Sequence, residues 1–326
     1  GASMRACTVV ETCAGRPHEV VRVGLTGAAS THIIFVPGNP GIPGYYGSTV
    51  ESLAAELSAT AAVVGLLGHS SAPIGSSVLA TYGLNEQCEH VCSFIETERA
   101  HLEREHHSQG GGEEMNIVLV GHSIGAYIAF AAAKRAGLAA GKIGNMPARA
   151  IGLMPYLENS ELPELKAKVR LVTCWWSPAL FFVLSVVAGL IGTLPVPLKS
   201  LLFRRFGEDS SRFAPEMAAL TIGAIPRFST LNNILALFRT EAEQLAPLYD
   251  YAPLCQGLDG KLALLYSAGD SDIWAPSSSA IRAAQHGVVV TVEPGLPHAF
   301  SVGPQARERV VRLICTMLES MPAPPA

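Results

Sequence analysis

The stretch Asn116-Ile117-Val118-Leu119-Val120-Gly121-His122-Ser123-Ile124-Gly125-Ala126-Tyr127-Ile128-Ala129-Phe130-Ala131-Ala132-Ala133-Lys134-Arg135 decides the fold. Its first five residues are short, apolar and rich in β-branched side chains, the pattern of a buried strand. From Ala126 the chain is rich in alanine, the strongest helix former, and Gly137 supplies a C-terminal stop. Between strand and helix lies G-x-S-x-G, the nucleophile-elbow pattern. The bare pattern recurs by chance in long, glycine-rich chains, so its position between strand and helix is what gives it meaning. A serine on so cramped a turn leaves no room for side chains at either flank, hence Gly121 and Gly125. The helix that follows directs its first amides towards charge developing at the serine.

Outward from the elbow, strands and helices alternate. Cys7–Val10 and Glu19–Val23 are expected as opening strands, with Gly15-Arg16-Pro17 as the turn. Thr31–Val36 is near-continuously apolar, as in a strand buried on both faces. It runs into Pro37-Gly38-Asn39-Pro40-Gly41-Ile42-Pro43-Gly44, a shaped loop. Helices are expected at Tyr46–Ala59, Leu84–Glu105, Ser277–Gln285 and Pro304–Glu319, and further strands at Ala62–Leu67, Ala148–Met154, Lys261–Tyr266 and Gly287–Val292. The alternation predicts an α/β chain with a mostly parallel sheet covered by helices on both faces. It breaks between about 158 and 251, so 1–157 and 252–326 are expected to form the core and 158–251 an insertion at the edge of the site.

The 326 residues suit one large domain with such an insertion. Only 15% of them are charged and the net charge is −4 without a long basic run, which argues against a nucleic-acid partner. Seven cysteines lack C-x-x-C spacing, and reduced thiols in a cytosolic setting are expected. No apolar run follows the start of the chain, so no secretory signal is expected. His101, His106 and His107 lack metal-ligand spacing and read as a solvated helix end.

An elbow serine needs a base, an orienting carboxylate and an oxyanion hole, in the chain order serine, acid, histidine. His298, in Pro294-Gly295-Leu296-Pro297-His298-Ala299-Phe300, is the one histidine after the last strand; His286 precedes that strand and reads as a surface residue. The acid belongs in Gly269-Asp270-Ser271-Asp272-Ile273-Trp274-Ala275-Pro276. Asp272 is preferred, being deeper in the loop beside Ile273 and Trp274; Asp270 is the alternative. Ser123 is then the nucleophile and His298 the base. The oxyanion amides are expected from Ile124 and from the loop after Phe35. Pro37 and Pro40 carry no N–H, which leaves Gly38, Asn39, Gly41 and their neighbours, with Asn39 the choice.

The sequence resembles the lipid droplet-associated hydrolases, within the α/β-hydrolase fold. The resemblance is carried by Phe35-Val36-Pro37-Gly38-Asn39-Pro40-Gly41 with Tyr45-Tyr46, by Gly68-His69 and by Tyr82-Gly83-Leu84-Asn85-Glu86-Gln87-Cys88-Glu89-His90. It continues through Gly121–Tyr127, Leu198–Arg205, Asp272-Ile273-Trp274-Ala275-Pro276 and Pro297-His298-Ala299-Phe300. It implies Ser123, Asp272 and His298 as the triad, although the acid loop is about two residues longer than the family's usual form, which keeps Asp270 open. It further implies hydrolysis of lipid esters, with sterol esters proposed, at lipid droplets and the cytosolic face of the endoplasmic reticulum membrane. No metal or organic cofactor is implied.

No charged residue lies between Arg170 and Lys199. The uninterrupted part between Pro178 and Pro195 would rise only about 24 Å as a helix, against a bilayer core of about 30 Å. A single crossing would also put Ser123 and Asp272 on opposite sides of a membrane. The run must therefore cross an even number of times, dip in and return, or stay within the protein. It is expected to dock on a lipid surface through Pro178, Leu180, Phe181, Phe182, Val183, Leu184, Val186, Val187, Leu190 and Ile191. Lys166, Lys168, Arg170, Lys199, Arg204 and Arg205 are placed to meet phosphate head groups. The competing expectation is a helix buried over an acyl pocket. Two rival functions remain: a droplet-surface protein that works through the insertion without catalysis, and a soluble esterase or thioesterase.

Overall fold

The computed structural model describes residues 5–24, 29–74, 79–108, 115–159, 162–206, 210–268 and 272–321. Strands β1 (Cys7–Cys13) and β2 (Arg16–Val23) form a hairpin, followed by β3 (Thr31–Val36), α1 (Gly47–Glu56) and β4 (Thr60–Val64). Next come α2 (Leu84–Ser108), β5 (Asn116–His122), α3 (Ile124–Arg135), the short β6 (Leu138–Ala139) and β7 (Lys142–Ile143), and β8 (Met146–Leu153). A run of helices follows: α4 (Pro163–Thr173), α5 (Ser177–Gly192), α6 (Val196–Phe206), α7 (Pro215–Ala224) and α8 (Phe228–Gln244). The alternation resumes with α9 (Ala252–Leu258), β9 (Leu262–Ser267), α10 (Ser277–Gln285), β10 (Val289–Glu293) and α11 (Pro304–Ser320).

The main sheet has the order β1-β2-β4-β3-β5-β8-β9-β10. From β4 to β10 every neighbouring pair is parallel, and β1–β2 and β2–β4 are antiparallel. Ile33–Val36, Ile117–Val120 and Leu262–Tyr266 are wholly buried, because helices cover both faces of these central strands. Parallel strands bring their carboxyl ends to one edge. The loops after β3, β5, β9 and β10 therefore converge there, where open α/β sheets hold their ligands.

Several elements differ from the sequence expectation for local reasons. The first turn is Ala14-Gly15, both at positive φ (48° and 75°), so β1 and β2 run on through Arg16 and Pro17 instead of stopping short of them. β4 ends at Val64 because the next amides leave its ladder: Gly65 donates to Glu19 and Leu66 to Gly41. A 3-10 turn, Pro43–Tyr46, precedes α1. The β6–β7 hairpin has no counterpart in the sequence expectation. Its turn, Ala140-Gly141, again has positive φ, and its strands are too short to show an alternation.

Elbow and sheet meet at Gly125. A methyl group there would collide with the carbonyl oxygens of Val36 and Pro37, and one at Gly121 with the backbone of Ala126. Backbone atoms cannot rotate away as a flexible side chain can. Gly125→Ala is expected to cost about 1–3 kcal/mol or more, read from the denaturant midpoint. An unchanged midpoint would show that α3 does not pack this closely on the end of β3.

Candidate active site

Ser123 stands between β5 and α3 with φ 54° and ψ −127°, a conformation that strains any residue with a Cβ. Three backbone hydrogen bonds hold it there. Its amide donates to Leu153 O at 2.9 Å, and its carbonyl accepts from Ala126 and Tyr156, each at 3.1 Å. The strand before, the helix after and the end of β8 thus fix one residue jointly.

Three side chains singled out in the sequence lie in one hydrogen-bonded line. His298 Nε2 is 3.0 Å from Ser123 Oγ, and His298 Nδ1 is 2.7 Å from Asp272 Oδ2. A carboxylate can only accept, so Nδ1 carries the ring proton and Nε2 presents a lone pair to the serine hydroxyl. Asp272 is buried, and its other oxygen accepts from the amides of Trp274 (3.2 Å) and Ala275 (3.3 Å). Asp270, the alternative acid, lies outside the described residues. His286 is exposed at the end of α10 with its ring beside Tyr251, remote from this line.

The loop after β3 abuts the serine: a methyl on Gly38 would stand 2.9 Å from Ser123 Cβ. Several of its polar groups have assigned partners. Gly38 N–H donates to the Tyr46 hydroxyl at 3.3 Å and Gly41 N–H to Gly38 O at 2.5 Å. Gly41 O accepts from Leu66 N–H at 3.1 Å, and Pro40 O from the His69 ring at 2.7 Å. Asn39 Nδ2 donates to Ile234 O of α8 at 2.9 Å. Among the described residues the Asn39 amide donates to nothing. The Ile124 amide opens α3 and so lies outside the helix's own ladder. These two N–H groups remain uncommitted beside Ser123.

Other groups shape the site although the sequence assigned them no role in it. Burial holds His69 down at about 4, so its neutral ring serves as the donor to Pro40 O. Glu241 of α8 is buried and its carboxyl is pushed up to about 8 by burial, against an opposing pull from the Asn39 side chain. A proton therefore rests on it at neutral pH. Its signal in the sequence was positional, because 241 falls on the packed face of α8 with Ile234 and Leu237, where periodicity calls for an apolar residue.

The charge-free run forms α5. Pro178, Phe182, Val183, Leu184, Val186, Val187 and Leu190 are exposed, while Leu180 and Ile191 are half-buried. Phe181 is not part of that surface: with Val172 and Ala242 it forms a small core between α4, α5 and α8. Ser185, on the same packed side, satisfies its hydroxyl on Phe181 O at 2.7 Å. The run is thus one-sided and not enclosed. Around it Trp175 is 88% exposed, with Trp176, Leu171, Val196, Leu198 and Leu201 also open to solvent. Lys166, Lys168, Arg170, Arg204 and Arg205 are exposed nearby, and Lys168 Nζ stands 5.0 Å from the Trp274 ring centroid. No single helix among the described residues is long and apolar enough to cross a membrane; α4 and α5 together pass that test of length and composition but bend by 86°. Among the described residues, no three His, Cys, Asp or Glu side chains are grouped to hold a metal ion.

A sequence profile of the lipid-droplet associated hydrolases matches residues 29–301. Human lipid droplet-associated hydrolase is 31% identical, with 82% of this chain and 79% of that protein covered. The chicken protein of the same name is 26% identical, covering 82% and 78%. Among solved structures, the haloalkane dehalogenase DatA from Agrobacterium tumefaciens superposes with a TM-score of 0.61 at 16% identity, covering 97% of each chain. Epoxide hydrolase A from Mycobacterium thermoresistibile gives 0.60 at 13%, covering 98% of this chain and 100% of that one. At such identities the solved structures speak for the fold alone, which is that of the α/β-hydrolases. The profile and the curated relatives go further: the chain belongs to the lipid-droplet associated hydrolase family.

Proposed function

We propose that this hydrolase cleaves lipid esters through an acyl-Ser123 intermediate while docked on a lipid droplet or membrane surface. The observation that carries the reading is the line Ser123–His298–Asp272 lying beside two uncommitted amides. His298 Nε2 would take the Ser123 proton as Oγ bonds to the ester carbonyl carbon. The Asn39 and Ile124 amides would hold the resulting oxyanion. On collapse the C–O bond to the alcohol breaks, and His298 returns the proton to the departing oxygen. Water would then attack the acyl group with its proton going to His298, releasing the acid and restoring Ser123. Asp272 keeps the imidazole in the Nδ1–H tautomer and stabilises the imidazolium.

Lipid as the substrate class is supported by the family name and by the surface of α5. Exposed apolar area of this kind, rimmed by Lys and Arg and flanked by tryptophan, suits insertion at the head-group level of an anionic surface. A helix of 16 residues rises about 24 Å and suits lying in the interface better than crossing it. Residues 158–251 are then the cap and docking unit, and the cytosolic face of the endoplasmic reticulum and its droplets is the location. A sterol is the proposed alcohol of the ester, by family resemblance.

Ser123→Ala and His298→Ala are each expected to abolish hydrolysis of a short chromogenic ester by folded protein, because such residues act as a unit. Asp272→Asn is expected to lower kcat by up to about 10⁴ by favouring the wrong tautomer. Hydrolysis unaffected in folded Ser123→Ala would rule out this chemistry. An Asp272→Asn enzyme close to wild type would move the acid elsewhere in the loop.

Docking has its own test. Val183 and Val187 are both exposed, so the double variant Val183→Asp, Val187→Asp is expected to fold and to turn over a water-soluble ester. Each charge costs roughly 2.5–3.5 kcal/mol on insertion into apolar lipid, so the variant is expected to stop floating with droplets. A folded variant that floats as wild type does would contradict docking through α5.

A further inference from the structure

His122, between Gly121 and the serine, has a ring that never touches Ser123 Oγ in the line described above. Its Nε2 lies 2.9 Å from the backbone oxygen of His298, and its Nδ1 lies 2.7 Å from the Tyr46 hydroxyl. The direction of each bond follows from chemistry alone. A carbonyl oxygen only accepts, so Nε2 carries the proton and donates to His298 O. The neutral ring then has a lone pair at Nδ1, and the Tyr46 O–H donates to it. The Tyr46 oxygen accepts in turn from Gly38 N–H at 3.3 Å, and the Ser301 side chain also hydrogen-bonds to it. One directed chain thus joins the loop after β3, the turn before α1, the elbow and the loop after β10.

The two linking side chains are out of water: Tyr46 is 4% and His122 5% exposed. Phe35 (centroid distance 4.7 Å) and Phe300 (6.1 Å) pack against the Tyr46 ring, and Phe300 also meets His122 edge-on at 5.0 Å. Burial, and then the neighbouring His298, keep His122 well below the ordinary histidine range, so the neutral form that the chain requires is the form the site favours. A protonated His122 would have no acceptor to offer Tyr46.

We infer that Tyr46 and His122 are positioning residues that fix the base loop of His298 and the Gly38–Asn39 loop at one spacing around Ser123. The Gly38 amide is spent on this chain, which aligns the peptide after it and leaves the Asn39 amide free to meet an oxyanion. His298 is the residue whose ring must meet both Ser123 and Asp272, and the chain anchors it by its own carbonyl. The inference rests on the hydrolase reading above and adds to it the residues that set its geometry.

The test uses the full chain, a water-soluble p-nitrophenyl ester, and thermal melting of each variant. Tyr46→Phe keeps the ring and its packing and removes only the hydroxyl. It is expected to lower kcat about tenfold with KM within about twofold of wild type, since a misplacement approaching 1 Å costs on the order of a hundredfold. His122→Leu removes both links and is expected to lose about a hundredfold in kcat. His122→Gln keeps a donor that can reach His298 O and is expected to recover to within about tenfold of wild type. A role in stability alone would lower the melting temperature while leaving kcat and KM unmoved in the folded fraction. Folded Tyr46→Phe with wild-type kcat, or His122→Gln no better than a folded His122→Leu, would overturn the inference. If His122→Leu does not fold, the Tyr46→Phe result decides. Wild-type protein that leaves the ester intact would instead fail the hydrolase reading itself and this inference with it.

Discussion

Ser123 is held in a backbone conformation that costs a non-glycine residue on the order of 1–3 kcal/mol, and the surrounding structure exists in a form that can hold it there. The turn closes only because Gly121 and Gly125 have no side chains to drive into α3 and into the end of β3. Gly38 lacks one for the same reason, lying against Ser123 itself. Hydrogen bonds from Ser123 to Leu153 and from Ala126 and Tyr156 to Ser123 then clamp the strained residue to two strands and a helix. The parallel register of β3, β5, β8, β9 and β10 sets where the remaining loops can reach. The elbow constraint and the sheet register together set the geometry of the site.

The helix α8 ties that site to the apolar surface. Its Ile234 carbonyl accepts from Asn39, and its Asn233 carboxamide meets the amide of Tyr82 and the carbonyl of Ala80. On its other side Phe228 packs against Gly189 and Phe182 of α5. A protonated Glu241 fits this arrangement, because a buried charge beside Asn39 would be costly where, among the described residues, no cation is paired with it. Docking through α5 and chemistry at Ser123 would therefore share one element, with Lys168 over Trp274 as a second contact, between α4 and the loop after β9.

Much of this was legible because its signals are local. Thr31–Val36 and Ser277–Gln285 coincide with the observed strand and helix, since a continuous apolar run and an amphipathic run each announce themselves within a few residues. The order serine, acid, histidine along an α/β chain likewise placed Ser123, Asp272 and His298 in loops that the sheet brings together. Other features depend on distant partners. Asn39 meets a carbonyl 195 residues away, and His122 one 176 residues away, so neither bond can be read from neighbours. The composition of residues 173–198 could not say whether the run was enclosed or open, because both arrangements use the same apolar residues. What resolves it is the packing of Phe181, Ser185 and Ala188 on one side only.

In the proposed mechanism Ser123 becomes covalently acylated during turnover. Its most direct test is to treat the protein with a fluorophosphonate and locate the adduct by peptide mass spectrometry, with and without prior reaction with a slowly released ester. A single modified residue, Ser123, is expected, with labelling that disappears when the ester is loaded first. An unmodified Ser123 in folded protein that still hydrolyses esters, or an adduct on any other residue that blocks turnover, would contradict it.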